Sequence, residues 1–258
     1  MGPPPDLSLA DALFLDLDGV LAPIERRPGD VAFDAARTAL LAGLERAMGG
    51  AMAVVSGRSL EDVDRILGGA PRCVGAVHGL VRRTPDGETL TAEPSADLHA
   101  ARLILEALAK ARPGLILEDK GLSLALHYRE APEALTAVED AVAQILSTTA
   151  LVRQDGAMVC EIRTPGPSKR EALQAFMAEP PFFGRRPVML GDDLTDEHGF
   201  DGAEKGGGFG VLVGPYRPTR ARYRLDDVAA VHAWLATGLA RADAAALSET
   251  IALTETFV

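Results

Sequence analysis

Apolar residues along the chain fall into short unbroken runs and longer helical stripes, and the two alternate. Residues 12–17 read Ala-Leu-Phe-Leu-Asp-Leu, the kind of run a parallel strand shows when both its faces are covered. Across 33–48, Leu40, Leu41, Leu44 and Met48 share one stripe and Gly49-Gly50 closes it, which predicts a helix. Residues 51–55 predict a second buried strand. Ser56-Gly57-Arg58 follows, and then a helix whose opening, Ser59-Leu-Glu-Asp62, is a capping-box pattern. A third strand is predicted at 73–77. Strand and helix alternating in this way mark a parallel α/β sheet.

After Gly79 the rhythm changes. Pro85-Asp86-Gly87 stands at the centre of residues 81–91 and signals a hairpin rather than a crossover helix. Helices are expected near 96–111 and 132–146, with antiparallel strands between them at 115–118 and 122–129. In the second of these strands Leu122, Leu124 and Leu126 alternate with Ser123, Ala125 and His127. Another strand is expected at 158–163. The earlier rhythm resumes with a helix from Lys169, strands at 187–190 and 209–213, and a C-terminal helix near 226–239. The Ala-rich stretch after Arg241 reads as a helix on the core or a frayed end. The expected fold class is α/β. A parallel Rossmann-like sheet core, residues 1–81 and 164–258, carries an inserted α+β domain at 82–163.

Composition narrows the partners more than the fold. Of 258 residues, 47% are hydrophobic and 24% charged, which excludes disordered, collagen-like and coiled-coil classes. A fold of this size buries roughly 70% of the surface its unfolded chain exposes, enough for a core without staples. Asp and Glu number 37 against 26 Lys and Arg, a formal net charge of -11. Such a field repels a phosphate backbone at long range, so no nucleic-acid partner is expected. A small anionic substrate must be drawn in by local charge, and a bound cation is the simplest source. Cys73 and Cys160 lie far apart in sequence and read as reduced core thiols of a cytoplasmic protein. The opening Met-Gly-Pro-Pro-Pro-Asp lacks a basic leader segment. No apolar run approaches the roughly 20 residues of a membrane span, so no membrane partner is expected.

Four clusters carry chemistry. Asp16-Leu-Asp18-Gly19-Val20 ends the first strand, at the edge where open parallel sheets bind ligands. Asp and Gly also favour turns, but two carboxylates crowded at the end of an apolar strand repel each other and require a cation. Val188-Met-Leu-Gly191-Asp192-Asp193-Leu-Thr-Asp196-Glu197 repeats the arrangement, a buried strand running into acids. One of these acids can cap the next helix. Four are more than one helix end requires. Ser168-Lys169-Arg170-Glu171 is a capping box with a lysine in its first turn, where a cation opposes the helix dipole and suggests a nearby anion. Ser56-Gly57-Arg58 joins a hydroxyl, flexible backbone and a helix N-terminus, which suits either an anion site or an ordinary strand–helix turn.

In their order along the chain these clusters resemble the haloacid dehalogenase superfamily of phosphatases. The resemblance implies that Asp16 attacks phosphorus to form an aspartyl-phosphate, while Asp18 protonates the leaving oxygen and then activates water. It implies that Ser56 and Lys169 hold phosphoryl oxygens. It also implies Mg2+ held by Asp16, Asp18 through its backbone carbonyl, and Asp192, with Asp193 and Asp196 as close support. Charge arithmetic agrees: Asp16, Asp18, Asp192, Asp193 and Asp196 sum to -5, and Lys169 restores only +1. A phosphate dianion would be repelled by several kcal/mol at an effective dielectric of about 20. One divalent cation reverses that sign locally.

Within the insert, Glu118-Asp-Lys120-Gly-Leu-Ser-Leu-Ala-Leu-His127-Tyr128-Arg129 puts His127 and Arg129 on one strand face, with Glu118 and Lys120 on the neighbouring strand end. Such a set is either a surface hairpin with salt bridges or a mix of donors and acceptors suited to polyhydroxyl groups. This string, Asp18-Gly-Val-Leu-Ala-Pro-Ile24, Val-Ser-Gly-Arg, Glu161-Ile-Arg and Gly-Asp-Asp-x-Thr-Asp-Glu together are similar to trehalose-6-phosphate phosphatases, over about residues 13–214. The resemblance implies that the insert is a cap. Glu118, Lys120, Arg129 and Glu161 would grip sugar hydroxyls there, with His127 beside them and Arg58 contributing from the core. His78-Gly79 matches the end of the family's third strand. Val81, Ala157 and Arg170 depart from the pattern, since family members often carry an acid, a Lys and a Gly at those places.

The implied partner is a small-molecule sugar phosphate. Trehalose 6-phosphate comes first, and sucrose phosphate or a glycosyl-glycerate phosphate are the related alternatives. A catalytically silent phosphosugar-binding protein is the reading from another class. The expected assembly is a monomer or weak homodimer, with cap hinges near 79–81 and 163–166.

Overall fold

The structure, a computed structural model, describes residues 1–255; for residue 243 and residues 245–255 it describes the backbone alone. The chain begins with β1 (Asp11–Leu15), α1 (Ala35–Ala47), β2 (Met52–Val55), α2 (Leu60–Leu67) and β3 (Cys73–Ala76). The hairpin β4 (Val81–Arg83) and β5 (Thr89–Thr91) comes next. The middle of the chain forms α3 (Leu98–Ala111), β6 (Ile116–Asp119), β7 (Ser123–His127), α4 (Leu135–Thr148), β8 (Val152–Gly156) and β9 (Val159–Arg163). The last part holds α5 (Lys169–Met177), β10 (Arg186–Gly191), α6 (Asp196–Lys205), β11 (Phe209–Val213), β12 (Tyr223–Leu225) and α7 (Val228–Glu255).

Two sheets result. The larger has the order β12-β11-β10-β1-β2-β3-β4-β5 and is parallel from β12 to β3. Its last two strands run antiparallel. From β1 the chain steps outward through β2 and β3 on one side and returns on the other through β10, β11 and β12. The order therefore reverses between β1 and β10, and a crevice opens there at the carboxyl ends of the strands. Register sharpens this. Leu15 pairs with Leu190, and the Asp16 amide donates to the Leu190 carbonyl at 3.0 Å, so the residues after β1 and β10 emerge side by side.

The smaller sheet, β6-β7-β9-β8, is antiparallel throughout. One face packs on α3 and α4, where Leu105, Val138, Val142 and Ile145 meet Leu124, Leu126 and Ile162 in one buried cluster. The period of two then assigns the opposite face. Glu118, Ala125, Glu161 and Gln154 form a single cross-strand row on it.

Three expectations change. The hairpin at 81–91 forms, but β4 pairs with β3 and extends the core sheet, with Val81 packed on the main core. The edge that β3 would otherwise leave open is thereby covered. The chain thus leaves the core sheet after Thr91 rather than at residue 82, and the expected hinge at 79–81 lies inside the core. Two short strands, β8 and β12, stand where none was expected. Both are edges of their sheets; β8 carries Arg153-Gln-Asp155, which breaks any alternation, and β12 is only three residues long, too short for its Tyr-Arg-Leu to stand out. The C-terminal helix continues past the expected end at residue 239 to Glu255. Among the described residues no helix is long and apolar enough to cross a membrane.

Two helical layers cover the core sheet. On one side Phe14 of β1, fully buried, stacks with Phe182 at 5.5 Å between centroids, and Phe176 of α5 lies 5.3 Å from Phe182. This cluster clamps α5, and with it Lys169, onto the strand that bears Asp16. Truncating Phe14→Ala leaves a cavity that its two ring partners cannot fill. Urea unfolding of this variant is expected to show a loss of about 3–5 kcal/mol; a loss below about 1 kcal/mol would mean that the cluster does not fasten the layers.

Candidate active site

The floor of the crevice is built on buried charge. Lys169 is the first residue of α5, whose N-terminus is fixed by a capping box between Ser168 and Glu171. Its side chain is only 2% exposed, and its Nζ lies 2.9 Å from Asp16 Oδ2 and 2.6 Å from Asp196 Oδ1. Burial would lower the lysine's pKa, yet the two carboxylates hold it above the ordinary lysine range. Asp196, fully buried at the start of α6, turns its other oxygen to the Asp192 and Asp193 amides at 3.0 and 3.1 Å. Asp16 is also buried and accepts from the Leu17 amide at 2.7 Å. The anion that the lysine's position foretold is a pair of carboxylates.

Two glycines make room for this crowding. A Cβ on Gly19, where φ is +74°, would lie 2.3 Å from Asp192 Oδ2, and one on Gly191 would lie 2.2 Å from the Asp196 carboxyl carbon. Any side chain at either place would push an acid out of the cluster. Asp16, Asp192 and Asp196 offer oxygens within 4.8 Å of one another. Among the described residues no hydrogen bond or ion pair reaches the Asp192 carboxylate. Burial and the neighbouring carboxylates raise the pKa of both Asp16 and Asp192 far above the usual range, and Lys169 pulls only partly against that. Three carboxylates around one ammonium, with one of them unpartnered, fit a hard divalent cation with oxygen ligands. The Asp18 and Asp193 carboxylates do not take part in this cluster, while Asp196, expected only in support, does.

Asp18 instead faces Arg58. The guanidinium donates to Asp18 Oδ2 at 2.7 Å and Oδ1 at 2.8 Å, and to the Pro28 carbonyl at 2.8 Å. Ser56, buried at the end of β2, accepts from the Arg58 amide at 3.3 Å. Between Ser56 and Arg58, Gly57 leaves room for the His78 ring, since a Cβ there would lie 2.5 Å from it and push it aside. Val77 and His78 both have left-handed backbones, φ +45° and +58°. A β-branched residue in that region is an outlier, and each such residue costs about 1–3 kcal/mol. Amide bonds from Val77 to the Arg58 carbonyl and from His78 to the Ser56 carbonyl, both 2.9 Å, hold the turn against that strain.

The roof is the polar face of the second sheet. Glu161 of β9 accepts from Lys120 Nζ at 2.8 Å and meets His78 Nε2 at 3.4 Å. His127 Nε2 lies 2.9 Å from Glu118 Oε2. Arg129 donates to the carbonyls of Glu25 and Ala157. Floor and roof enclose one cleft, with about 950 Å³ of space counted out through its open mouth. Asp16, Asp18, Ser56, Arg58, Lys169, Asp192 and Asp193 line it from the core. Glu118, Lys120, His127, Arg129 and Glu161 line it from the second sheet.

Three contacts also tie the sheets together across the mouth. Arg27 forms a two-pronged ion pair with Glu130 at 3.0 Å, Arg129 reaches the Glu25 carbonyl, and Asp193 Oδ2 accepts from the Ala157 amide at 3.1 Å. Ala157 therefore works through its backbone, which makes the missing lysine less surprising. Arg170 sits 2.8 Å from Asp201 and is remote from the cleft lining. Sequence reasoning passed over Arg217, whose guanidinium donates to the Asp192 and Asp193 carbonyls and pairs with Glu197, so bracing the acidic loop. No local signal marks it. His78 was seen only as part of a motif, and Gln154 lies on the unexpected strand β8.

An open parallel sheet whose switch point carries this acid cluster and buried lysine, beneath a second polar-faced sheet, is the fold of solved phosphatases of the HAD superfamily. Its backbone is similar to the C-terminal domain of the Candida albicans trehalose-6-phosphate phosphatase, with a TM-score of 0.79 over 90% of this chain and 93% of that one at 21% identity. The chain belongs to the trehalose-phosphatase family, which it matches over residues 14–229, and is a phosphoric monoester hydrolase. It is 41% identical over 235 residues to the trehalose-6-phosphate phosphatase of Escherichia coli K12, covering 90% of this chain and 87% of the relative. It is 31% identical over 244 residues to the trehalose-phosphate phosphatase of Mycobacterium tuberculosis H37Rv, covering 85% and 59% respectively.

The acid cluster sets a pH dependence. Asp16 and Asp192 are raised to about 8 and about 9 in the folded chain without a cation, so folding binds their protons more tightly than the unfolded chain does. That contribution is full below the ordinary carboxylate value and is lost as pH rises through the folded values. The Tm of chelated protein is therefore expected to fall between pH 5 and pH 9, and a divalent cation to restore most of it at the alkaline end. A Tm that is flat with pH, and unmoved by the cation, would contradict this electrostatic picture.

Proposed function

We propose that the chain hydrolyses trehalose 6-phosphate to trehalose and inorganic phosphate, with Mg2+ as the resident cation. One observation carries the reading: the acid cluster with its lysine and serine shares a single cleft with a row of groups suited to sugar hydroxyls. The Escherichia coli relative, named for the same substrate, supports it. Buried free thiols at Cys73 and Cys160 are in keeping with a cytoplasmic setting.

In the first half-reaction a carboxylate oxygen of Asp16 attacks phosphorus, and the bond from phosphorus to the sugar O6 breaks. O6 takes its proton from Asp18, whose carboxyl must first exchange its Arg58 partner for the leaving oxygen. In the second half a water oxygen attacks the aspartyl-phosphate, its proton passes to Asp18, and the bond to Asp16 breaks. Ser56 and Lys169 hold the non-bridging oxygens throughout. Asp16, Asp192 and Asp196 would hold Mg2+, which supplies charge neutralisation and Lewis-acid polarisation of a phosphoryl oxygen. On the opposite side Glu118, Lys120, His127, Arg129 and Glu161 orient the disaccharide, and ordering it there turns binding energy into position.

Three measurements test the reading. Asp16→Asn removes the nucleophile, so phosphate release from trehalose 6-phosphate is expected to fall by about three orders of magnitude or more. Unchanged release would reject the aspartyl-phosphate route. In a panel of sugar phosphates compared by kcat/KM, trehalose 6-phosphate is expected to lead; a lead by sucrose phosphate or a glycosyl-glycerate phosphate would reject the sugar while leaving the chemistry intact. Chelation is expected to abolish turnover and Mg2+ to restore it.

A further inference from the structure

One buried chain of polar groups crosses from the core to the second sheet, and the reaction above leaves its core member unused. His78 belongs to the strained turn after β3, Glu161 to β9, and Lys120 to the loop between β6 and β7. All three side chains are more than nine-tenths buried, at 9%, 6% and 8% exposed. Lys120 Nζ and His78 Nε2 both address the same oxygen, Glu161 Oε2, at 2.8 and 3.4 Å. The second carboxylate oxygen, Glu161 Oε1, is buried and has no protein partner among the described residues, and neither has His78 Nδ1. A buried acceptor without a donor is a costly arrangement that persists where a ligand or water completes it. Glu161 and His78 both line the cleft.

We propose that His78 is a positioning residue for sugar recognition: from the core it fixes the Glu161 carboxylate, so that Oε1 stands ready for a sugar hydroxyl only when the two sheets are closed on each other. This rests on the reading that Glu161 grips the sugar. The charges agree with the assignment of donor and acceptor. Burial alone would raise Glu161, yet Lys120 and His78 carry it well below the carboxylate range, so the carboxylate accepts. Burial lowers the histidine's pKa, and a ring protonated at Nε2 donates to Glu161. Lys120 alone would leave the carboxylate free to rotate about that one contact; the imidazole, arriving from the other sheet, supplies a second point. The left-handed backbone at His78 and the missing Cβ at Gly57 are what aim the ring there.

The test compares two phosphomonoesters on the full-length, Mg2+-loaded enzyme: trehalose 6-phosphate, and p-nitrophenyl phosphate, which has no sugar hydroxyls. The readout is the ratio of their kcat/KM values. His78→Asn suits the left-handed backbone but is too short to reach Glu161, and is expected to lower the ratio about tenfold, mainly through the KM for trehalose 6-phosphate. His78→Gln places an amide N–H near the position of Nε2 and is expected to keep the ratio within about threefold of wild type. The double variant His78→Asn with Glu161→Gln is expected to be no worse than Glu161→Gln alone, because both changes break one unit.

A ratio kept by His78→Asn would overturn the proposal, as would losses that multiply in the double variant. Should His78→Asn fail to fold, Gly57→Ala displaces the same ring and is expected to lower the ratio in the same way; a folded Gly57→Ala protein with a wild-type ratio overturns the proposal too. Glu161→Gln separates the two levels of the argument. If it keeps the wild-type ratio, the sugar-gripping role of Glu161 fails and the role of His78 fails with it. If it lowers the ratio while His78→Asn does not, only the role of His78 is lost.

Discussion

Everything in this molecule turns on one buried ammonium held between two carboxylates. Lys169 sits between Asp16 and Asp196 at hydrogen-bond distance, out of water, at the point where two parallel strands and two helices converge. Removing the lysine would strand two buried carboxylates as uncompensated charge, which is far more damaging than the net worth of the pair. Yet the lysine answers only one of the negative charges crowded there. Among the described residues the Asp192 carboxylate has no partner, so the protein part of the site is electrically incomplete. A site that needs one more cation is also a site that can receive a phosphate once that cation is present. Crowding of this kind is held in place by small things: Gly19 and Gly191 lack the side chains that would drive the acids apart.

The second organising feature is that the cleft belongs to neither sheet. The floor gives charge and the roof gives hydroxyl-type partners, and they meet through a few contacts at the mouth. Arg27 with Glu130, Asp193 with the Ala157 amide, and Arg129 with the Glu25 carbonyl all join residues more than thirty positions apart. Exposed pairs such as the first are individually weak. Asp18 shows the same economy. Its carboxylate is held by Arg58 through both oxygens, and under the mechanism we propose that hold must break before a proton moves. Lid closure that completes a reaction centre is a common way to admit a substrate while controlling water.

Three of the four clusters were legible because they follow strands that announce themselves, and the fourth, at Lys169, because a capping box opens its helix. An unbroken apolar run such as Ala12 to Leu15 can only be a covered strand, and polar groups directly after it must emerge at an edge of the sheet. The strands β8 and β12 gave no such notice, because an edge strand has one free side and tolerates Arg, Gln and Asp. The hairpin at Pro85-Asp86-Gly87 was visible as a turn, but a turn does not say which sheet its strands will join. Arg217 was invisible for a related reason: its partners are backbone carbonyls, and a carbonyl leaves no mark in a sequence.

Sequence by itself determined the periodicity of the elements, and so the edge at which Asp16, Ser56 and Asp192 would stand and the strand face on which His127 and Arg129 would lie. Those are consequences of local geometry, the alternation of a strand and the stripe of a helix, and they need no knowledge of distant contacts. Only the tertiary structure decided that Asp196 rather than Asp193 completes the acid cluster, that Arg58 takes hold of Asp18, and that His78 reaches across to Glu161. Each of these depends on a separation of a few ångströms between segments far apart in the chain. Charges and hydrogen bonds choose partners by distance and direction in space, and neither quantity is written in the order of the residues.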